Sequence, residues 1–266
     1  MWHGMGDTCC NPRSMYALKT AIEQEIPGVY VLSLSFGENP AKDMEASYFA
    51  NVNEQVASVC RLLGEDERFS GGYHAIGVSQ GSQFLRAVAQ RCGKPRMRNL
   101  VSIGGQHQGV FGIPHCNGSR ICHVVRHLLN IGAYMPVIQE NIVQAQYWHD
   151  PLNEVTYKKR SIFIADINNE KEVNETYVSN LSQLENFVMV KFNRDTMVVP
   201  AESSWFGFFA PGQDERVLPL EETVLYKEDR LGLKKLMENK RRNSAQIYSR
   251  LIGNDIRECI GCTDTT

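Results

Sequence analysis

The residue pattern best suited to covalent chemistry is a serine flanked at two residues' distance by glycines, Gly77-Val78-Ser79-Gln80-Gly81. A serine hydroxyl reacts only when it is presented openly. A sharp turn from strand to helix does this by holding the serine in strained backbone, with glycines where a side chain would strike the neighbouring strand or helix. The flanks suit that geometry, since residues 72–76 read as a short apolar strand and 83–92 as an amphipathic helix. The chemistry expected of Ser79 is acyl transfer through a serine ester. The pentapeptide alone is not specific, because a plain strand-to-helix turn capped by Ser79 carries the same letters.

Such a nucleophile works with an acid and an imidazole base. Phe187 to Phe192 reads as a strand of alternating large apolar residues, followed by Asn193-Arg194-Asp195. In open α/β sheets the chemistry collects outside the carboxyl ends of strands, and the acid follows the nucleophile in the chain. Asp195 is therefore the candidate acid, a solvated turn aspartate being the alternative. The base should come later still, yet His3, His74, His107, His115, His123, His127 and His149 all precede Asp195. The triad histidine is absent from its expected place. His3, near the first loop, and His149 are the candidate substitutes, but neither follows a strand end that faces Ser79 from the Asp195 side. Losing the base of a serine hydrolase costs on the order of a millionfold in turnover.

The elements that must position these groups alternate. A helix is expected over 13–25 and a strand over Val29–Leu34. Val52, Val56, Val59 and Leu63 mark one helix face with Cys60 beside it, and Cys92 ends a similar face made by Phe84, Leu85 and Val88. Leu100–Ile103 is a further strand, so the sheet is mostly parallel. The rhythm breaks over 106–184, where helices are expected at 124–129 and 137–147 and a strand at Ile162–Ile167. This reads as an inserted, largely helical cap whose Phe111, Ile113, Ile131, Tyr134, Met135, Val137 and Ile138 either line an acyl pocket or form the cap's own core. The expected division is an α/β core over 1–105 and 185–233, a cap over 106–184 and a divergent basic tail over 234–266. The fold class is α/β, specifically an α/β-hydrolase fold with a mostly parallel central sheet.

The chain has 266 residues, 42% of them hydrophobic, and a formal net charge of −2, which gives no reason to expect a nucleic-acid partner. No apolar run is long enough to span a membrane. Eight cysteines favour an oxidising compartment, and sequons at Asn117, Asn174 and Asn180 agree with a secretory route. Cys60 and Cys92 suit either a disulfide between two packed helices or two buried free thiols. Cys259 and Cys262 form a lone C-x-x-C, a weak signal for metal or redox chemistry. No metal site and no cofactor are expected.

Longer motifs carry a resemblance. Trp2-His3-Gly4-Met5-Gly6-Asp7, Cys9-Cys10-Asn11-Pro12, the Ser79 pentapeptide, 84–92, Gly104-Gly105-Gln106-His107-Gln108-Gly109-Val110-Phe111-Gly112, Tyr147-Trp148-His149-Asp150-Pro151 and Trp205-Phe206-Gly207-Phe208 are together similar to the palmitoyl-protein thioesterases, from residue 2 to about Leu233. The resemblance implies a lysosomal, glycosylated serine thioesterase. Its partners would be S-fatty-acylated proteins or peptides and long-chain fatty acids, with palmitate removed from cysteines of proteins under degradation. It implies Ser79 as nucleophile, Asp195 as acid, the N–H groups of Met5 and Gln80 as oxyanion hole, and Trp148, His149 and Met197 at the substrate. It also implies disulfides Cys9–Cys10, Cys60–Cys92 and Cys116–Cys122. The family's first strand is expected before Met1, and its base in a Gly-Asp-His segment that is missing after Leu233. The alternative expectation is thus a catalytically dead product that keeps an acyl-binding groove.

Overall fold

The computed structural model describes residues 1–112, 124, 127–129, 132–242 and 249–252. Three parallel strands form its centre: β1 (Tyr73–Val78), β2 (Met97–Ile103) and β3 (Asn186–Phe192), side by side in that order. Ile76 lies opposite Val101, and Val101 opposite Val188. A small antiparallel pair, β4 (Phe208–Phe209) and β5 (Val217–Leu218), stands apart, while β6 (Ser249–Ile252) runs parallel to β3 on its outer side.

On the other side of β1 lies Trp2, whose N–H donates to Ile76 O and whose carbonyl accepts from Val78 N–H, both at 3.0 Å. Beyond it the strand expected at Val29–Leu34 does not form as a regular strand. Met1 N donates to Leu32 O at 2.6 Å and Leu34 N–H to Met1 O at 2.9 Å, two bonds to one residue that do not make a ladder.

Helices cover the sheet because a parallel sheet must be buried on both faces. They begin with α1 (Met15–Glu25), α2 (Pro40–Ala46), α3 (Val52–Glu65) and α4 (Gln80–Arg91). Asn51 caps α3 by accepting from Asn53 N–H at 3.0 Å, and the predicted face of Val52, Val56, Val59 and Leu63 is buried. The helix α4 is buried almost along its length and packs against α3. A disulfide from Cys60 to Cys92 joins the two, with Cα atoms 5.5 Å apart, so the two-thiol alternative does not hold. Cys9 and Cys10 form a second disulfide. Cys116, Cys122, Cys259 and Cys262 lie outside the described residues.

The 106–184 region differs from expectation in two places. The single helix expected over 137–147 is two, α5 (Pro136–Asn141) and α6 (Val143–Gln146), divided where Ile142 takes an extended conformation. The strand expected at Ile162–Ile167 is instead a helical turn, α8 (Ile164–Ile167), after α7 (Glu154–Arg160); Ile167 N–H bonds Phe163 O at 3.0 Å. A short run with one exposed charge, Asp166, among buried residues is too brief for its periodicity to choose strand or helix, and packing chose helix. Phe163, Ile164 and Ile167 share the main core with Val56, Phe84, Val88 and Phe187. A smaller cluster gathers Tyr48, Leu129, Ala133, Ile138, Ile142 and Ala145, with Met5 and Trp148 against it. Helix α9 (Glu175–Ser182) is tied to α4 by Asn180 Nδ2 donating to Gln90 O at 2.9 Å. Later in the chain, α10 (Val224–Lys227) is followed by α11 (Leu233–Arg242), which buries Leu233 and Leu236 in the main core.

Candidate active site

Ser79 sits between β1 and α4 with φ 51° and ψ −126°, a conformation costing about 1–3 kcal/mol for a residue with a side chain. The surroundings hold it there. Ser79 N–H donates to Ile103 O at 2.8 Å, Ser82 N–H donates to Ser79 O at 2.9 Å, and Ser82 Oγ donates to Gly77 O at 2.8 Å. The two glycines are required by close approach: a Cβ on Gly77 would lie 2.6 Å from Ser82 N, and one on Gly81 2.7 Å from His3 O.

The first loop lies against the serine. A Cβ on Gly4 would be 3.1 Å from Ser79 Cβ and 3.7 Å from its Oγ, and Met5 follows directly. Ser47 anchors both this loop and α4, accepting from Gly6 N–H through Oγ at 2.8 Å and from Gln80 Nε2 through its carbonyl at 3.0 Å. Gln80 Oε1 accepts from Tyr147 Oη at 3.0 Å and Gln144 Nε2 at 3.2 Å. The Gln80 side chain is thus locked away, and its main-chain N–H, at the start of a twelve-residue helix, has no acceptor within α4.

Asp195 follows β3. Its Oδ1 accepts from Met197 N–H at 2.8 Å and Val198 N–H at 2.9 Å, and its Oδ2 lies 3.9 Å from where a Cβ on Gly104, at the end of β2, would be. Burial pushes the Asp195 carboxyl above the usual carboxylate range, against the opposing pull of those two N–H groups. Met197 beside it is exposed.

The buried histidines near the site are occupied elsewhere. His3 bonds Gly4 O through Nδ1 at 2.9 Å and Asp43 Oδ1 through Nε2 at 3.2 Å. Burial opposes its charge, but Asp43 and Gly4 O outweigh burial and its pKa is raised. His149 bonds Gln108 O at 2.7 Å and Glu154 Oε1 at 2.9 Å, and its ring is stacked between Tyr157 and Phe208. His107, fully buried, meets Ser102 Oγ through Nε2 at 2.8 Å and stacks on Phe206. His74 bonds Asn99 Nδ2. Among the described residues no histidine is hydrogen-bonded to Ser79; His115 and His123 lie outside them.

The side chain that does reach the serine is Gln106, whose Nε2 donates to Ser79 Oγ at 2.9 Å. Sequence reasoning placed Gln106 in a motif but gave it no role. A loop glutamine carries no periodic signal, and only its place just beyond β2 marked it.

Trp148 meets Phe111 with the rings tilted at 55° and their centroids 5.4 Å apart, and helps line a cavity of about 630 Å³ with Leu129, Ala133, Tyr134 and Met135. Ile138 is instead in the smaller core cluster and Val137 faces solvent; Ile113 and Ile131 lie outside the described residues. Among the sequon residues, Asn174 is exposed and caps α9, Asn180 is half-buried, and Asn117 lies outside the described residues. No group of metal ligands is found among the described residues, and no helix there is long and apolar enough to cross a membrane.

A strained serine at the carboxyl edge of a parallel sheet, directly before a buried helix, together with an aspartate just past β3 two strands away, defines an α/β-hydrolase. Comparison with known proteins narrows the class. A family model described as palmitoyl protein thioesterase matches residues 1–249, and the chain belongs to that family. It is 59% identical over 242 residues to palmitoyl-protein thioesterase 1 of Caenorhabditis elegans, covering 91% of this chain and 81% of that one. It is 38% identical over 229 residues to palmitoyl-protein thioesterase 3 of Dictyostelium discoideum, covering 86% and 76%. It is also 30% identical over 168 residues to lysosomal thioesterase PPT2 of Homo sapiens, covering 62% and 55%. By family it is a palmitoyl-protein hydrolase.

Proposed function

We propose that the chain removes long fatty acyl groups from S-acylated cysteines through an ester on Ser79, with the N–H groups of Met5 and Gln80 receiving the oxyanion and Asp195 as the acid. The observation that carries this reading is Ser79 itself, held at φ 51° against the Gly4–Met5 loop. Attack of Oγ on a thioester carbonyl puts negative charge on the carbonyl oxygen. Two fixed N–H donors lower that barrier by roughly 3–4 kcal/mol each. Met5 also packs on the apolar cluster that adjoins Trp148, which favours an acyl chain lying beside the hole. Trp148, His149 and Met197 are assigned to the substrate side on the same reading. Two disulfides, the sequons and the lysosomal relative support work in the lysosome on acylated proteins being degraded.

A second reading, acyl binding with little turnover, is favoured by one observation. His3, His107 and His149 all have ring nitrogens bonded away from Ser79. Palmitate release from an S-palmitoyl peptide decides between the two. Release that disappears in Ser79→Ala establishes the thioesterase. Saturable palmitate binding with release no faster than Ser79→Ala establishes the binding protein.

A further inference from the structure

We infer that Gln106 is a catalytic residue of the second half-reaction, the one that frees the fatty acid from Ser79; this rests on the serine mechanism proposed above. Its Nε2 donates to Ser79 Oγ at 2.9 Å, so it touches the reacting atom directly. The residue is 4% exposed, and its Oε1 is buried without a hydrogen-bond partner, an orphaned acceptor on the same amide that meets Ser79.

The placement is rigid from both sides. Gln106 N–H donates to Gln83 Oε1 of α4 at 2.9 Å. The next residue, His107, is fastened by Ser102 at 2.8 Å and by Arg86 Nη2 donating to its carbonyl at 3.0 Å. Gly105 before it runs so close to the sheet and α4 that a Cβ there would lie 2.5 Å from Ser102 Oγ and 2.6 Å from Ser82 Cβ. A donor fixed in this way costs no reorganisation when charge develops on Oγ.

Thioester chemistry says when that matters. In the first adduct Oγ competes with a thiolate, and a thiol with pKa of about 8.5 leaves readily without help. In the second adduct, water oxygen has bonded to the acyl carbon. The C–Oγ bond must break with its electron pair passing to Oγ, while the proton lost by water ends on Oγ. The rival leaving group is hydroxide, whose conjugate acid has a pKa of about 15.7. Two oxygen leaving groups are close in quality, so a hydrogen bond to Oγ directs the adduct toward fatty acid and free Ser79. The orphaned Gln106 Oε1 is an acceptor for the incoming water on the same side chain.

The experiment follows the acyl group on Ser79 by intact mass after mixing with an S-palmitoyl peptide, in wild type, Gln106→Ala and Gln106→Met. The methionine keeps the volume without the donor and covers the case in which the alanine variant fails to fold. Both variants are expected to acylate at the wild-type rate and to lose the acyl group about 100-fold more slowly, so that adduct accumulates. Loss at the wild-type rate overturns the inference, as does an equal slowing of both halves, which is what a merely structural role produces. Wild type that never acquires an acyl group overturns the serine mechanism and this role with it, a result distinct from variants that behave like a reactive wild type.

Discussion

Arg86, fully buried on α4, donates through Nη2 to the main-chain carbonyl of His107 at 3.0 Å, tying the helix that follows Ser79 to the loop that carries Gln106. The same guanidinium reaches Ile167 O at 3.0 Å and Asn168 Oδ1 at 2.7 Å. None of these partners is a carboxylate, and burial pulls the Arg86 pKa down to about 9.

Arg86→Met keeps much of the stem but takes the guanidinium from His107 O and Asn168 Oδ1, while Ile167 O keeps the donor Gln90 Nε2 at 2.8 Å. A loss of about 3–5 kcal/mol in unfolding free energy is expected, read from the urea midpoint. A loss below about 1 kcal/mol means the acceptors find other partners and the tie is not structural.

Gly81→Ala puts a Cβ 2.7 Å from His3 O, against backbone that cannot swing aside. The strain is relieved only by moving α4 away from the first loop, which separates Gln80 from Met5. The expected outcome is a lower melting temperature together with loss of fluorophosphonate labelling at Ser79. Full labelling in a stable Gly81→Ala protein contradicts this account of the turn.

Stability should fall on acidification because of His107. Burial first, and then the charge of Arg86, hold its pKa well below the ordinary value, so the native ring stays neutral. Below about pH 6.5 the unfolded chain takes up a proton there that the native chain does not, at a cost of up to about 1.4 kcal/mol per pH unit. His3 acts in a different window: its raised pKa gives a contribution that is complete below about pH 6.5 and is lost as pH rises through the native value. Melting temperatures across pH 4 to 8, roughly the range over which histidines titrate, should show an acid slope that His107→Gln flattens. An unchanged slope in that variant removes His107 as its source.

Free imidazole should raise palmitate release. The carboxyl of Asp195, the proposed acid, is pushed up by burial, and among the described residues no histidine meets Ser79, so a small base that reaches both would supply what those residues do not. A saturable increase of about tenfold or more that is absent in Ser79→Ala is expected. No increase would show that the base is not what limits turnover.

The two described sequons should differ in a secretory host. Asn174 is exposed and uses its Oδ1 to accept from Thr176 and Tyr177 N–H, while Asn180 Nδ2, the atom a glycan would take, donates to Gln90 O at 2.9 Å. Asn174→Gln is expected to remove a glycan-dependent gel shift and Asn180→Gln to leave it unchanged. The reverse pattern would mean that α9 opens from α4 before modification.

Several elements were readable before any coordinates. The faces of α3 and α4 follow from apolar residues at helical spacing, which needs only local periodicity. The turn at Ser79 follows from two glycines between a strand pattern and a helix pattern. Where the run was too short for periodicity to decide, as at Ile162–Ile167 with Asp166 its one exposed residue, the reading as strand failed. The Val29–Leu34 segment has the composition of a strand, but a strand is defined by a run of paired bonds, and here the bonds to Met1 make no such run, which composition does not report.

By itself, then, the sequence determined the positions of the candidate serine, the candidate acid and the parallel strands that carry them, and in it every histidine comes before Asp195. Tertiary structure alone decided which side chain touches Ser79 and which do not. His3, His107 and His149 are drawn into Asp43, Ser102 and Glu154, and Gln106 is brought to the hydroxyl. The physical reason is that a hydrogen bond depends on distance and direction between residues far apart in the chain. Here they are set by backbone packed around glycines 77, 81 and 105, and no local pattern of residue types encodes them.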